Sequence, residues 1–249
     1  MTGLGSSIAV GTLIGVAGTG LGGAVCYIIA HPTKTTQAVM LSYSGGVMAA
    51  MVVFSMLPEA FIGRPFWPGA LSLLLSGAFV GALSAVLRLP ADCPQTGESM
   101  RLRLQRTSLM IISAIALHNL PEGLAIGTGL CVRSDYTFTL ILLMLLHDIP
   151  EGMAAGVGLK AGRMSAFKGI GACMLAGVPT GLGAAVGFLM GGISQTFISA
   201  SIAFAAGAML LVTCLELIPS ARGLDSRKRV LIPAFAAGVL TGALVIAGL

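Results

Sequence analysis

The chain has 249 residues, of which 56% are hydrophobic and only 9% charged, with 35 Gly and a formal net charge of +5; its mean hydropathy is +0.97. A soluble globular domain carries about 25% charged residues, so this chain is too poor in charge to cover its own surface in water, which argues against an aqueous enzyme, a nucleic-acid module or a disordered protein. Its composition is that of closely packed membrane helices, where Gly lets backbones approach.

A bilayer core needs about 20 apolar residues per helix. Apolar runs fall at roughly 4–30, 37–61, 66–88, 107–130, 137–159, 166–191, 195–220 and 230–249. The sequence therefore predicts an all-α integral membrane protein: one transmembrane transporter domain over residues 1–249, made of eight transmembrane helices with short connections. No Lys or Arg precedes the first run, so it reads as a retained span rather than a cleaved leader. The second span carries Met48 and Ser55 and ends at Glu59, an acid that interfacial water accounts for. Residues 89–106, which include Cys93 and Pro94 and hold no His, read as a solvated basic loop. The sixth span contains Thr180, and the seventh ends with Cys214, Glu216 and Pro219.

The cations alternate between the two sides. Lys34, then Arg88, Arg101, Arg103 and Arg106, then Lys160, Arg163 and Lys168, then Arg222, Arg227, Lys228 and Arg229 fall on one side, and only Arg64 and Arg133 on the other. Twelve against two, accounting for all 14 Lys and Arg, is a strong positive-inside bias. It predicts a multi-pass cell (inner) membrane protein with both termini outside the cytoplasm, and it assigns the basic clusters to topology, with no nucleic-acid partner. The five Cys (26, 93, 131, 173, 214) show no C-x-x-C spacing and suggest neither a disulfide framework nor a thiolate site.

The fourth and fifth spans carry a repeat: LHNLPEGLAIGTGL from Leu117 and LHDIPEGMAAGVGL from Leu146. Consecutive spans cross in opposite directions, so the copies are inverted. A weaker pair relates Gly46, Met48 and Pro58 to Gly207, Met209 and Pro219, again on opposed spans. Inverted repeats with interrupted helices meeting at mid-membrane are a signature of secondary transporters. The Gly-x-x-x-Gly pairs Gly123/Gly127, Gly152/Gly156 and Gly183/Gly187 read as helix-packing surfaces.

Each acid at a bilayer centre costs roughly 2.5–3.5 kcal/mol, so intramembrane ionisable groups point to function. His118 and Glu122 are four residues apart and share a helix face, as do His147 and Glu151; Asn119 and Asp148 follow about 100° around. If the faces meet, two imidazoles, three carboxylates and an amide share one space with a charge near −3, which divalent cations would neutralise. Imidazole with carboxylate suits Zn²⁺, Fe²⁺ or Mn²⁺ better than Ca²⁺ or Mg²⁺. Pro121 and Pro150 each deny the helix a donor, and irregular backbone at this depth is tolerated where it lines a polar cavity.

These motifs resemble the ZIP (Zrt/Irt-like) family of divalent metal transporters, closest to its bacterial GufA-type branch, over essentially the whole chain. The resemblance implies a central metal site with His118, Asn119 and Glu122 from span four and His147, Asp148 and Glu151 from span five as ligands, the two glutamates bridging a binuclear centre. It further implies Met48 and Ser55 on the outer pathway, Glu216 on the release side, and a homodimer. Two departures stand out: Thr180 stands where the branch often has a carboxylate, and Leu215 where relatives can carry His. The predicted function is uptake of Zn²⁺, with Fe²⁺, Mn²⁺ or Cd²⁺ as further substrates, into the cytoplasm, without catalysis and without a catalytic cofactor. Two alternatives stay open on the residues alone: a membrane-embedded zinc hydrolase, and a proton-coupled carrier that uses the acids without metal.

Overall fold

The computed structural model describes residues 3–28, 33–87, 100–132 and 135–248. It is helical throughout. Eight rods follow in chain order: α1 (Leu4–Ile28), α2 (Lys34–Phe61), α3 (Phe66–Leu87), α4 (Met100–Val132), α5 (Asp135–Ala161), α6 (Ala166–Gly191), α7 (Gln195–Leu224) and α8 (Lys228–Gly248). Six of them (α1, α2, α5, α6, α7 and α8) are long and apolar enough to cross a membrane; α3 is apolar over Phe66–Ala82, and α4 carries the polar motif in its middle. The protein is a multi-pass membrane protein.

The connection expected over 89–106 is shorter than the hydropathy suggested. Residues 100–106 form the first two turns of α4, because M-R-L-R-L-Q-R is made of strong helix formers, and hydropathy registers the bilayer rather than the helix. Residues 88–99, Cys93 among them, lie outside the described residues. Of the other cysteines, Cys26 and Cys173 are buried, Cys214 is exposed, and all four described are free thiols.

Two groups of four helices form the molecule. In one, α1 packs on α5 and α6, and α4 on α6; in the other, α2 packs on α8, and α3 on α7. The groups meet through α2 against α5 and α4 against α7, with α4 and α5 side by side. Exchanging α1 with α6, α2 with α7, α3 with α8 and α4 with α5 leaves these principal contacts unchanged, which is the inverted relation written in the sequence. Close approach depends on glycine. A Cβ on Gly123 would run into the backbone carbonyl of Thr180 in α6, and one on Gly183 into the carbonyl of Leu120 in α4. Gly123→Ala should therefore cost about 1–3 kcal/mol of stability through forced displacement of α6, read as a lower melting temperature of the purified protein.

Both α2 and α7 contain one turn of π-helix, over Val52–Met56 and Thr213–Leu217. In α2 the amide of Leu57 donates to the carbonyl of Val52, five residues back. Pro58 and Pro219 follow each turn at the same interval; a proline ring displaces the carbonyl four residues before it and withholds an N–H, which loosens the ladder where the wider turn forms. α6 is likewise interrupted, at Gly177, and restarts with Pro179 in its first turn, where no N–H is needed.

The helix ends on the basic side are tied together. Thr33 caps α2, its hydroxyl accepting from the amide of Thr36 at 3.1 Å. Lys160 of α5 donates to the carbonyls of Cys26 and Tyr27 at 3.1 and 3.0 Å, satisfying the C-terminus of α1. Between α7 and α8, Asp225 accepts from Arg227 at 2.6 Å and from the hydroxyl of Thr35 in α2 at 2.8 Å. These donors hold the Asp225 carboxyl well below the usual carboxylate range, the hydrogen bonds from the Arg227 side chain first among the causes. A depressed pKa contributes stability that is fully present above the ordinary value, about 3.9, and drains away as pH falls below it. Asp225→Asn should therefore lower the melting temperature near neutrality and reduce its decline under acid, as measured by thermal unfolding from pH 7 to pH 3.

Candidate metal centre

α4 and α5 run side by side, and their H-x-x-P-E segments lie within the contact. Both helices continue through their prolines, Pro121 and Pro150. Nδ1 of His147 donates to the carbonyl of Leu143, one turn back, at 2.9 Å. That bond leaves Nε2 as the lone-pair nitrogen, the arrangement that metal-binding imidazoles use. Nε2 lies 2.8 Å from Oε1 of Glu122 on α4 and 3.5 Å from Oδ1 of Asp148. Glu122, His147 and Asp148, all buried, each offer one ligand atom within 4.8 Å of the others.

A tetrahedral ion with bonds of about 2.0–2.1 Å to nitrogen and oxygen keeps the two ligand atoms about 3.3 Å apart. The His147–Glu122 pair, at 2.8 Å, would open by roughly half an ångström to admit an ion. Oε2 of Glu122 is buried and makes no hydrogen bond among the described residues. A carboxylate oxygen left so at mid-membrane is costly, and a cation is the natural partner for it.

The remaining predicted residues divide. Glu151 is buried but accepts at Oε1 from the Ser44 hydroxyl of α2 at 2.6 Å, which draws it toward the second helix group. Asn119 donates from Nδ2 to the carbonyl of Ala176 at 2.8 Å, a carbonyl at the interruption of α6; its Oδ1 is buried without a hydrogen-bond partner among the described residues. The Thr180 hydroxyl is in the same condition. Asp148 and Thr180 both press against α1 where it has no side chain: a Cβ on Gly18 would meet the Asp148 carboxylate, and one on Gly15 the Thr180 hydroxyl. The side chains of His118 and Glu216 lie outside the described residues.

Met48 is fully buried between α2 and α7, its sulfur accepting from the Thr213 hydroxyl at 3.8 Å. Ser55 lines a cavity of about 330 Å³ with Glu59, Pro58 and Thr139. Thr139 precedes His147 by eight residues of α5, about 12 Å of rise, so this cavity lies two turns along the same helix from the centre. Glu59 at its rim is paired with Arg64 at 2.5 Å, and this ion pair accounts for the acid more fully than interfacial water does.

Sequence reasoning missed Ser44. It lies one turn before Met48 on the same face of α2, and that spacing was the available signal, but a serine in a membrane helix carries no charge to draw notice. Ser44 and Gln37, whose amide donates to the carbonyl of Ala154 at 2.5 Å, fasten α2 to α5 on the basic side of the centre.

Comparison with known proteins places these features in context. A family model described as ZIP Zinc transporter matches residues 92–249. The chain is 27% identical over 131 residues to the zinc transporter ZupT of Chlorobium phaeovibrioides, covering 46% of this chain and 49% of that protein. It is 28% identical over 120 residues to ZupT of Streptococcus mutans, covering 43% and 46%, and 28% identical over 123 residues to ZupT of Escherichia fergusonii, covering 46% of each. The matches span about half the length of these curated relatives.

Proposed function

Because this chain belongs to the ZIP zinc transporter family, we propose that it carries divalent metal ions into the cytoplasm, Zn²⁺ foremost and Fe²⁺, Mn²⁺ or Cd²⁺ with it, through a site between α4 and α5. The observation that carries this reading is the meeting of Glu122, His147 and Asp148 from two adjacent membrane helices within 4.8 Å. Asn119 and Glu151 complete the proposed ligand set, with His118 assigned to it by its motif. Imidazole and carboxylate together favour borderline ions such as Zn²⁺, and the twelve-to-two distribution of cations assigns the basic ends of the helices to the cytoplasmic face.

Each residue has a physical task in this reading. Leu143 fixes the tautomer of His147 so that Nε2 faces the ion. Glu122 supplies charge on the opposite wall. Ser44 holds Glu151 in position. Ions reach the centre from the Ser55 and Glu59 cavity past Met48, and leave by way of Glu216 on α7. The bonds from Ser44 and Gln37 to α5 lie across the inward route and must part for release.

The test is zinc accumulation by proteoliposomes containing the purified chain, with Fe²⁺, Mn²⁺, Cd²⁺, Ca²⁺ and Mg²⁺ as competitors. Uptake inhibited by the first three ions but not by Ca²⁺ or Mg²⁺ is expected. Accumulation no greater than in empty vesicles would overturn the proposal.

A further inference from the structure

A second cavity lies at the basic ends of α2, α7 and α8. Its volume is about 390 Å³, and its wall combines Arg222, Ser226 and Lys228 with the apolar side chains of Ile218, Ile232 and Phe235. The turn from 222 to 229 holds four cations and one acid, a net +3. That acid, Asp225, is engaged by Arg227 and Thr35. Among the described residues no ion pair is made by Arg222 or Lys228, both of which are exposed. Lys228 also opens α8, where the helix dipole favours negative charge.

Two features define the occupant. Two uncompensated cations and a serine hydroxyl at the rim select an anion and repel a metal cation. The apolar wall descends along α7 and α8 toward the membrane interior, which a soluble anion does not need and an acyl chain does. Basic pockets between membrane helices on the positive side suit anionic head groups.

We propose that this cavity binds an anionic phospholipid, with its phosphate on Arg222 and Lys228 and its acyl chain along Ile218, Ile232 and Phe235. The lipid joins α7 and α8 at the end where Asp225 already ties them to α2. The proposal rests on the membrane-spanning fold and is independent of which ion is transported.

The test is native mass spectrometry of the full chain in mild detergent with phosphatidylglycerol, phosphatidylcholine or inorganic phosphate added. The unmodified protein should retain one phosphatidylglycerol and no phosphatidylcholine, and excess inorganic phosphate should leave that lipid in place. Each cation near an anionic surface contributes about five-fold in binding, so the R222Q/K228Q protein should hold the lipid about 25-fold more weakly. The R163Q/R229Q protein loses the same two charges outside the cavity and should keep it, as should R222K/K228R, which preserves the charge. Equal retention of phosphatidylcholine would overturn the proposal, as would equal loss in R163Q/R229Q or loss in R222K/K228R. Displacement by inorganic phosphate would show a site for free phosphate instead and would overturn it as well.

Discussion

Replacing Glu122 by Ala is expected to reduce zinc uptake to the level of empty vesicles while the protein still inserts and folds. Glu122 supplies Oε1, 2.8 Å from His147 Nε2, and it contributes the α4 wall of the centre. Without it, the cluster keeps only His147 and Asp148, both from α5, and Asn119 offers only a neutral amide from the α4 side. Loss of an outer-shell partner of a metal ligand typically costs 10–100-fold in affinity; losing a ligand that also carries the charge should cost more. Folding should survive because removing an acid from mid-membrane relieves roughly 2.5–3.5 kcal/mol of insertion cost. Glu122→Gln separates shape from charge: it fills the same space and should fail nearly as completely. Uptake in proteoliposomes and titration calorimetry with Zn²⁺ measure both variants. Normal transport by either would show that Glu122 is not a ligand.

Replacing Thr180 by Glu is expected to raise the number of tightly held ions from one per chain toward two. Thr180 is buried with its hydroxyl unpartnered, and on α4, Gly123 packs against its backbone beside Glu122. A neutral hydroxyl gives a second divalent ion little; a carboxylate adds a full charge at short range in a low dielectric. Asn119, with an unpartnered Oδ1, and Asp148 would share the second position. Room is limited, since Gly15 of α1 lies directly against the Thr180 side chain, so Thr180→Asp, closer in size to threonine, serves as the companion variant. Metal per chain after dialysis, by elemental mass spectrometry, decides the matter. Two ions firmly bound by the unmodified protein would show that Thr180 does not restrict the second position. Weak holding there need not slow transport, because ions must leave as well as enter.

The central motifs were legible because polar residues at mid-membrane stand out against an apolar background, and the H-x-x-P-E spacing repeats. The meeting of Glu122 with His147 follows from that repeat. Ser44, Gln37 and Thr213 were not legible as partners, since small or neutral polar residues occur in membrane helices without special roles. The first two turns of α4 were read as loop because arginines lower hydropathy without lowering helix propensity. The π turns left no trace in the hydropathy, since one wider turn scarcely disturbs a uniformly apolar pattern; only the paired prolines, Pro58 and Pro219, marked their place. Thr180 was singled out only by comparison with the family pattern; nothing in its own chemistry marks it.

The π turns also bear on how the chain length of α2 and α7 can vary. Each lets the rod complete a turn with more residues than an α-helix uses, and so fixes the angular phase of everything beyond it. Deleting Val53 alone would let four-residue hydrogen bonds replace the five-residue ones of the wider turn, so the rod would return to regular winding with Pro58 and Glu59 facing much as they do now. Deleting Cys214 would leave Pro219 in phase in the same way. One-residue losses should therefore be tolerated within Val52–Met56 and Thr213–Leu217, where the wider turn can contract, and damaging in the regular winding beside them, where each residue lost turns the rest of the rod by about 100°.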